Sequence, residues 1–466
     1  MAQNRESDGY IRIMKFIIAS VFGDGVGIGW QLLNKGHDVK ICFLDTFYHN
    51  QYQGILPTIK LDEIKDETII WDMTGKTVLA EKLKANGKKI VGAGMGINKN
   101  GESIIDVLED DRLSAFQLIA PCGINTSEWR YFKDAKQAIP FVRSSDKRWV
   151  VKVLGKTTID MTFVSKDNEE LAQKLQKFSQ ETQLKDGLIL QEFIEGTEVS
   201  CEVFISNGKY VKGSVNYTLE TKKFMNGDEG EQTGCQSSVV WFGEGRAFEE
   251  SLKKLEPFIN RTQYNGFLDC NGIIDEKGKY YWLEFTPRIG YSSFYAMANC
   301  LDMPLGELLS GMADGSLAEV KTKVGFGVSV RVSIPPYPYE TKQNPPKTLT
   351  KECLKSLEKT GEYFGSYEAM VHRLLYRSSM DELVEFPIDD PAYIPIDVYF
   401  RDGKFYTAGN SAIICEVQGF GKTIAEASNR ALEARKELRV ANGRCRTDFA
   451  LNSEKRHSEL KAKNYL

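Results

Sequence analysis

The sequence predicts a multidomain protein of the α/β and α+β classes. Its 466 residues exceed what one hydrophobic core accommodates, so roughly two to four domains are expected. Up to about residue 105 the chain alternates apolar strands with helical segments, which is the pattern of a small parallel sheet. From Trp149 the pattern changes to strands at hairpin spacing, which is typical of antiparallel sheets.

Composition excludes several classes of protein. The hydrophobic fraction is 42% and the charged fraction is 27%, as in an ordinary globular protein. A net charge of -4 provides no overall field for nucleic acid or an anionic membrane, so we expect neither partner. No apolar run approaches the roughly 18 residues that span a bilayer, and the N-terminus lacks the order of a signal peptide, so a cytoplasmic protein is expected. Nine cysteines without a CxxC pair, together with only four histidines, argue against a disulfide framework and a zinc site.

The predicted N-terminal domain, residues 14–110, begins with a βαβ unit of Rossmann type. The apolar run MKFIIAS leads into the glycine loop GDGVGIG, a short helix end from Trp30 and the apolar run DVKICFL. The loop departs from the dinucleotide fingerprint GxGxxG, because Ile28 and Trp30 occupy the positions where the third glycine would fall. We therefore expect a tight turn that approaches a small substrate through Gly25 and Gly27.

The rest of the chain is predicted to form two further domains. Residues 111–322 combine hairpin strands with an amphipathic helix at 248–261 and a polar, glycine-containing loop at 220–236. An α+β domain follows at 323–450. Tails are expected at residues 1–13 and 451–466.

Two apolar runs, GFLDCNGII and KYYWLEF, are separated by the turn residues DEKG and predict a β-hairpin. On this hairpin Asp269 and Glu284 are expected to face each other across the two strands. A hydroxyl at Thr286 and a guanidinium at Arg288 follow the second run. Magnesium takes one or two carboxylates together with the phosphate oxygens of a nucleotide, and an arginine neutralises remaining phosphate charge. The alternative is a strand edge with solvated charges, and the hairpin alone does not decide between them.

Three cations lie near predicted element ends or loops, where phosphate-binding side chains are needed: Arg112, Lys152 and Lys156. Lys152 stands inside the apolar run VVKVL, and burying its charge is costly without an anion. The alternative is that Lys152 extends its ammonium group to water from an exposed face.

The stretch QEFIEGTE is predicted to be a strand end that turns back into a second strand. Backbone groups at such an end can bond the edge of an adenine, while Phe193 or Ile194 packs on its ring. Glu198 is placed to accept hydrogen bonds from two ribose hydroxyls. The predicted nucleotide contacts in this stretch are Gln191, Glu192, Phe193, Ile194 and Glu198. The alternative is a surface hairpin with solvated glutamates.

Several motifs occur in a characteristic order: a cation on a helix, a lysine on a strand, QEFIEGTEVS, and an aspartate–glutamate pair ending in LEFTPR. This order resembles the ATP-grasp superfamily. Three stretches resemble, more narrowly, the glycinamide ribonucleotide synthetases, also called phosphoribosylamine–glycine ligases. ETKKFMNGDEGEQTGC is similar to that family's DHKR...GDxGPNTGGMG loop, LEFTPRIG to its LEFNxRFG, and GRCRTDF to its closing YRxDIG. The resemblance runs from about Met14 to about Phe449.

The resemblance implies an ATP-grasp fold with an N-terminal Rossmann-like domain, a nucleotide-binding subdomain at about 150–215 and a C-terminal α+β domain. It implies an ATP-dependent C–N ligase of purine biosynthesis. ATP would phosphorylate glycine to an acyl phosphate, and phosphoribosylamine would attack it to give glycinamide ribonucleotide, ADP and phosphate. The partners would be these small molecules, an amino acid and an amine, and the protein a monomer or small homo-oligomer. Mg²⁺ would be the metal, with Mn²⁺ as a substitute.

The resemblance also assigns roles to individual residues. The implied metal ligands are Asp269, Glu284 and Thr286. The implied ATP contacts besides the QEFIEGTE residues are Arg112, Lys152 and Lys156. The implied catalytic residues are Arg288, Lys222 and Asp228. The implied substrate-binding residues are Gly25, Gly27, Lys223, Thr233, Gly234 and Arg288.

The sequence departs from the family pattern where the substrates should bind. The family's first loop, GGREHA, is GDGVGIGW here, and Thr286 replaces the asparagine of LEFN. The family's GDPE is GYSS at residues 290–293, so two carboxylates are missing, and a shortened flap, LGKTT, leaves Lys156 as its only obvious cation. Two alternatives therefore stay open: the same ligase chemistry on a different amine or carboxylate, and an inactive nucleotide-binding homologue.

Overall fold

The computed structural model describes residues 12–44, 50–92, 105–154, 162–181, 186–338 and 375–466. Its first unit consists of β1 (Lys15–Ser20), α1 (Val26–Asn34), β2 (Asp38–Phe43), β3 (Thr68–Trp71), α2 (Thr77–Ala85) and β4 (Lys89–Gly92). These strands form a parallel sheet in the order β2-β1-β3-β4. The apolar strands are buried on both faces, as parallel strands linked by crossover helices are. The predicted βαβ alternation is confirmed.

The turn between β1 and α1 differs from its prediction, because the helix begins at Val26 rather than near Trp30. Gly23 supplies the turn with a φ of +78°, a conformation that favours glycine. Gly27 lies inside the helix, where a Cβ would collide with the Tyr295 hydroxyl and Ile394. Gly23 therefore permits the turn, and Gly27 permits the close approach of α1 to Tyr295 and Ile394.

A second unit follows, with a small antiparallel sheet in the order β5-β8-β6-β7. Its elements and the two preceding helices are α3 (Val107–Asp110), α4 (Arg112–Cys122), β5 (Trp129–Phe132), α5 (Ala135–Ser144), β6 (Trp149–Val153), β7 (Thr162–Val164), α6 (Asn168–Glu181) and β8 (Leu188–Glu192). Side chains of this sheet, of α5 and of α6 form a hydrophobic core of their own, which includes Trp149, Leu175 and Phe178. This unit is therefore packed separately from the main core.

The remaining elements build a large antiparallel sheet and its surroundings. They are β9 (Gly196–Ser206), β10 (Lys209–Tyr210), β11 (Asn216–Met225), β12 (Glu229–Phe242), α7 (Arg246–Glu250), α8 (Leu252–Ile259), β13 (Gly266–Asp275), β14 (Tyr280–Thr286), α9 (Ser292–Asn299), α10 (Leu305–Ala313), β15 (Phe326–Ser333), β16 (Leu383–Val384), β17 (Tyr393–Pro395), β18 (Val398–Arg401), β19 (Lys404–Thr407), β20 (Ile413–Gly421), α11 (Ile424–Glu437) and α12 (Phe449–Ala462). The helix predicted at 248–261 is thus two helices, interrupted at Ser251 by a φ of -125° and a ψ of -95°.

The large sheet has nine strands in the order β14-β13-β9-β11-β12-β15-β20-β17, with β10 attached to β9. Strand β12 pairs with β15 through four positions, from Ser237 opposite Val330 to Val240 opposite Gly327. The C-terminal strands therefore continue the sheet that carries the predicted hairpin. The expected domain boundary at 322/323 falls between two strands of one sheet.

The polar stretch 220–236 is a strand pair rather than the predicted loop. Strands β11 and β12 continue to Met225 opposite Glu229, and the tip carries Gly227 at a φ of +75°. Charged side chains occupy this exposed extension of the hairpin. Polar and apolar residues therefore do not alternate along it, although the ladder of backbone hydrogen bonds continues. Composition alone therefore gave no strand signal here.

The C-terminal residues 451–466 are also ordered differently from the predicted tail. Most of them belong to α12, and Leu460 and Tyr465 are fully buried. Arg456 on this helix donates hydrogen bonds to the backbone carbonyl groups of Glu220 and Glu198. Among the residues that the structure describes, no helix is both long enough and apolar enough to cross a membrane.

Candidate active site

The candidate active site, called the cleft below, lies where the small sheet meets the β13–β14 edge of the large sheet. Lys152 on β6 donates a hydrogen bond of 3.3 Å to the Leu283 carbonyl on β14. Gln191 on β8 reaches the neighbouring Trp282 carbonyl at 3.5 Å. Lys152 and Gln191 share one face of the small sheet, because Gln191 pairs with Val150 in the adjacent register. The small sheet thus directs these two predicted nucleotide contacts at the hairpin.

Three cations converge on Glu284 in this cleft. The Arg112 guanidinium lies 2.9 Å from its carboxylate. Burial would raise the pKa of Glu284, but Arg112, Lys152 and Lys222 outweigh it and lower the pKa to about 2. Burial lowers the pKa of Lys152 well below its usual range, and repulsion by Arg112 adds to this. Lys222 is also paired with Glu198 and Glu220, whereas Arg112 forms its ion pair with Glu284 alone within the described ranges, so an anionic ligand beside Arg112 and Lys152 is favoured.

Arg112 and Lys152 are both positioned to contact such an anion. Lys152 is only 6% exposed, so the alternative in which its ammonium group extends into water is wrong. The Nη1 atom of Arg112 is buried without a hydrogen-bond partner among the described residues. A buried donor without an acceptor is costly, and a phosphate oxygen would satisfy it. Lys156 lies outside the described residues.

The predicted hairpin is present, but its two carboxylates do not lie directly opposite each other. Asp269 pairs with Thr286, and Glu284 pairs with Asn271. Because these four positions alternate with the intervening residues, they share one face of the hairpin, and Asp269 and Glu284 are diagonal neighbours. The expectation that the two carboxylates face each other is therefore corrected to a diagonal pair.

Asn271 is a site residue that the sequence reasoning missed. It is 4% exposed, and its Nδ2 donates a 2.8 Å hydrogen bond to Glu198. Its Oδ1 is buried and has no hydrogen-bond partner within the described part of the chain. The available signal was an amide inside the apolar run GFLDCNGII.

The same face of the sheet suits a divalent cation. Burial raises the pKa of Asp269 well above its usual range, and repulsion by Glu202 and Glu220 raises it further. The unpartnered Asn271 oxygen adds a neutral ligand. Carboxylate and amide oxygens are what Mg²⁺ and Mn²⁺ prefer. No cluster of three or more His, Cys, Asp or Glu residues suited to a metal occurs in the described ranges.

The predicted adenine-binding strand end is fixed by its neighbours. The backbone N–H groups of Glu192 and Phe193 donate to the carbonyl groups of Glu128 and Arg148, each at 2.8 Å. The Arg148 guanidinium lies 3.8 Å from the centre of the Phe193 ring and covers one face of it. Only the other face of Phe193 remains for a base, with Ile194 beside it. The contact of this strand end with adenine stays a prediction.

Glu198 is occupied by protein donors rather than exposed to a ribose alone. Its Oε1 accepts hydrogen bonds from Lys222 at 2.7 Å and from Asn271 at 2.8 Å. Burial would lower the pKa of Lys222, but Glu198 and Glu220 outweigh it and raise the pKa. Lys222 is thereby held on the same polar face as Glu284.

The other residues of the 220–236 hairpin do not join Lys222. Lys223 donates to the Gly230 carbonyl at 3.1 Å, and Asp228 accepts from Arg446 at 3.0 Å. Thr233 donates to the Lys222 carbonyl at 2.6 Å, whereas Gly234 is exposed. Of these predicted residues, Lys222 alone faces Glu198 and Glu284, because neighbouring side chains on a strand point to opposite faces of the sheet.

Arg288 faces the N-terminal unit. Its Nε and Nη2 donate to both oxygens of Glu109, with a shortest distance of 2.9 Å, and its guanidinium lies 4.6 Å from the Tyr291 ring centre. Gly25, at the start of α1, donates its N–H to Asp72 at 2.6 Å. Gly27 packs against Tyr295, and its contact with a substrate, like that of Gly25, stays a prediction. The phosphate role of Arg288 stays a prediction.

Comparison with known proteins identifies the unit that contains this cleft. Residues 113–291 match the family model described as phosphoribosylglycinamide synthetase, ATP-grasp (A) domain. Residues 113–291 are thus similar to an ATP-grasp domain of this type. A phosphoribosylamine–glycine ligase of Helicobacter pylori is 24% identical over 284 residues, which cover 58% of this chain and 63% of that protein. The chain thus spans less than two thirds of the length of the first curated relatives that it matches.

Solved structures with the same fold extend over most of the ATP-grasp chain. A phosphoribosylamine–glycine ligase of Thermotoga maritima superposes with a TM-score of 0.65 at 18% identity and covers 93% of this chain and 100% of that chain. The biotin carboxylase domain of a Hydrogenobacter thermophilus 2-oxoglutarate carboxylase, solved with MgADP, gives a TM-score of 0.59 at 12% identity and covers 93% and 92%. The predicted ATP-grasp fold and the resemblance to phosphoribosylamine–glycine ligases are confirmed.

Proposed function

We propose that the protein is an ATP-dependent ligase that joins a carboxylate to an amine through an acyl phosphate. The observation that carries the proposal is the convergence of Arg112, Lys152 and Lys222 on Glu284, between two sheets of an ATP-grasp fold. Phosphoribosylamine–glycine ligases are the proteins that the chain resembles, so ATP, glycine and phosphoribosylamine are the first substrates to test. Small-molecule substrates, a cytoplasmic location, a role in purine biosynthesis and a monomer or small homo-oligomer belong to the same proposal.

The residues of the cleft would act by charge and position. Arg112 and Lys152 would bind the transferring phosphoryl group and stabilise its charge, and Arg288 would add a third cation if it releases Glu109. Glu284, Asn271, Asp269 and Thr286 share the face that would hold Mg²⁺, and Asn271 supplies the amide oxygen that Thr286 lacks. When bound, Mg²⁺ would neutralise phosphate charge during transfer.

The proposed reaction needs no side-chain nucleophile. A carboxylate oxygen of the first substrate attacks the γ-phosphorus of ATP, and ADP leaves. The amine then attacks the acyl carbon, phosphate leaves with the bonding electron pair, and the amine loses a proton. The protein's contribution is to hold these groups in line and exclude water, which suffices for phosphoryl transfer.

A second candidate retains this chemistry but changes the amine or the carboxylate. Its support is local: the turn before α1 and the GYSS segment at 290–293 both depart from the family pattern. The same two segments lie close together, because the hydroxyl of Tyr295, two residues beyond GYSS, donates to the Asp24 carbonyl at 3.3 Å.

One assay separates these candidates. Purified protein is incubated with ATP, Mg²⁺, glycine and freshly generated phosphoribosylamine, and ADP release is measured with each component omitted in turn. ADP release that requires all components supports the first candidate. Release that requires a different amine or acid supports the second. Measurable ATP binding without ADP release for any pair of substrates contradicts the ligase proposal and favours an inactive nucleotide-binding homologue.

A further inference from the structure

Two carboxylates that the sequence reasoning did not single out meet beside Tyr291. Asp24 directly precedes Gly25 at the start of α1, and Asp72 directly follows β3. Strands β1 and β3 are parallel neighbours, so the residues at their carboxyl ends lie at one edge of the sheet. The Gly25 N–H donates to Asp72 Oδ2 at 2.6 Å, which fixes Asp72 against the turn.

Asp72 has an unsatisfied oxygen. The residue is 1% exposed, and its Oδ1 is buried without a hydrogen-bond partner within the described ranges. Burial raises the pKa of Asp72 to about 8, and repulsion by Asp24 adds to this, while Ser20 and Gly25 lower it. Burial likewise raises the pKa of Asp24, against the lowering effects of Arg288 and Arg331. A buried pair of carboxylates with a free oxygen favours a ligand that donates hydrogen bonds and carries positive charge.

The nearby arginines are already paired with other carboxylates. Arg288 makes its bidentate contact with Glu109, and Arg331 donates to Glu416 at 3.0 Å. Arg288 and Arg331 thus lower the pKa of Asp24 but make their ion pairs with other carboxylates. Asp24 and Asp72 therefore meet beside Tyr291 without a cation of their own in the described ranges, and a bound cation would favour their ionised forms.

The position of this charge relates it to substrate binding. The Tyr295 hydroxyl donates to the Asp24 carbonyl at 3.3 Å, and Tyr291 lies near enough to the Asp24 carboxyl group to lower its pKa. Both tyrosines follow β14, the strand that carries Glu284. The GYSS segment lacks the two carboxylates of the family's GDPE, and Asp24 and Asp72 bring two carboxylates to the same place from the N-terminal unit.

We propose that Asp24 and Asp72 bind a protonated amino group of one of the two ligase substrates, an ammonium group that does not itself react. This inference rests on the proposed ligase function. It specifies that the part of the substrate bound by Asp24 and Asp72 carries an ammonium group and no phosphate. An ammonium group offers three donors, which match the free Asp72 oxygen and the Asp24 carboxylate. A phosphate ester would be repelled by the same pair. The ammonium group belongs either to the amino acid that is phosphorylated or to a second amine on the acceptor.

The test compares charge-removing variants with a matched control. Asp24→Asn and Asp72→Asn keep an oxygen acceptor in place and remove the charge, whereas Asp66→Asn removes a 73% exposed carboxylate of the same unit. In ADP-release assays we expect each site variant to raise the KM of the ammonium-bearing substrate by about tenfold or more and to leave the KM of ATP nearly unchanged. Unchanged substrate KM values in both variants, even with a lowered melting temperature, would show a purely structural role and overturn the inference.

A binding experiment identifies the source of the ammonium group and does not depend on turnover. Calorimetric titrations with a non-hydrolysable ATP analogue and Mg²⁺ compare glycine with N-acetylglycine, and 1,3-diaminopropane with the uncharged 1,3-propanediol. Selective binding of glycine assigns the site to the amino acid, and selective binding of the diamine assigns it to the acceptor; both should be lost in Asp72→Asn and kept in Asp66→Asn. Preference for O-phosphoethanolamine over ethanolamine, or equal binding of the charged and uncharged probes, would overturn the inference. Ammonium-dependent binding without any ADP release would leave the inference standing and contradict the ligase function.

Discussion

Glu284 is the carboxylate with which the cations of the cleft interact, since Arg112, Lys152 and Lys222 all lower its pKa. Replacing it with glutamine preserves the shape of the side chain but leaves three cations without their shared carboxylate. We expect Glu284→Gln to reduce kcat/KM for ADP release by about 100-fold or more, because metal and phosphate binding both depend on this carboxylate. The control is Glu128→Gln, which removes an exposed carboxylate of the small sheet. Activity of the variant equal to that of the wild type would exclude Glu284 from the site.

Asn271 provides a second test at the residue scale. If its unpartnered Oδ1 contributes a metal ligand, Asn271→Ala should raise the Mg²⁺ concentration for half-maximal ADP release by about tenfold, and Asn271→Asp should restore metal affinity. The measurement is a Mg²⁺ titration at saturating ATP. Asn260→Ala, an exposed asparagine at the end of α8, serves as the control. An unchanged Mg²⁺ requirement in Asn271→Ala would show that Asn271 only orients Glu198.

Glu202 is predicted to make stability depend on pH. Burial raises its pKa to about 7, so the folded protein retains this proton while the unfolded chain has lost it. Stability should therefore fall as the pH rises from about 4.5 to about 7, with a loss of about 3 kcal/mol or less. Glu202→Gln should remove this loss, making the variant more stable than the wild type at pH 8 but not at pH 4. Urea unfolding in a chelating buffer measures the stability of the wild type and the variant at each pH. Identical pH profiles of the two proteins would contradict the assignment of this pH dependence to Glu202.

At the scale of elements, Arg446 fastens the exposed end of the β11–β12 hairpin. It is 1% exposed and donates to Asp228 at 3.0 Å, to Asp448 at 2.7 Å and to the Lys223 carbonyl at 3.0 Å. We expect Arg446→Met to destabilise the protein by about 1–2 kcal/mol, because the hydrogen bonds to the partly exposed Asp228 and Asp448 and to the Lys223 carbonyl are lost. Hydrogen exchange should quicken most at the hairpin tip. Arg430→Met, at a 60% exposed position, is the control, and equal exchange in both variants would disprove the fastening role.

The same hairpin shows where sequence patterns succeed and fail. Buried strands such as β1, β4 and β6 were predictable, because apolar side chains on both faces leave a clear signal. The hairpin was not, because its charged residues face water and it is held by backbone pairing and by contacts with Arg446, which is distant in the sequence. Lys152 was recognisable as a charge in an apolar strand. Asp24 and Asp72 were not, since their meeting depends on which strands of the sheet are neighbours.

The partition of the chain into units is also a matter of long-range pairing. Nothing local to residues 237–240 indicates that β15 will lie beside them, yet this pairing joins the C-terminal strands to the large sheet. The small sheet has a core of its own instead. The change of sequence pattern at residue 323 therefore marks the start of a new supersecondary unit within a shared sheet.

A truncation tests this view of the whole molecule. A chain that ends at residue 322 would lack β15, β17 and β20 and would expose one edge of β12, where Val239 and Val240 are fully buried in the intact protein. We expect this fragment to aggregate or to lose cooperative urea unfolding, because a long apolar edge strand is unprotected. Co-expression with residues 323–466 should restore a soluble complex with cooperative unfolding. If the fragment alone unfolded cooperatively with the midpoint of the intact chain, residues 323–466 would be an independent domain after all.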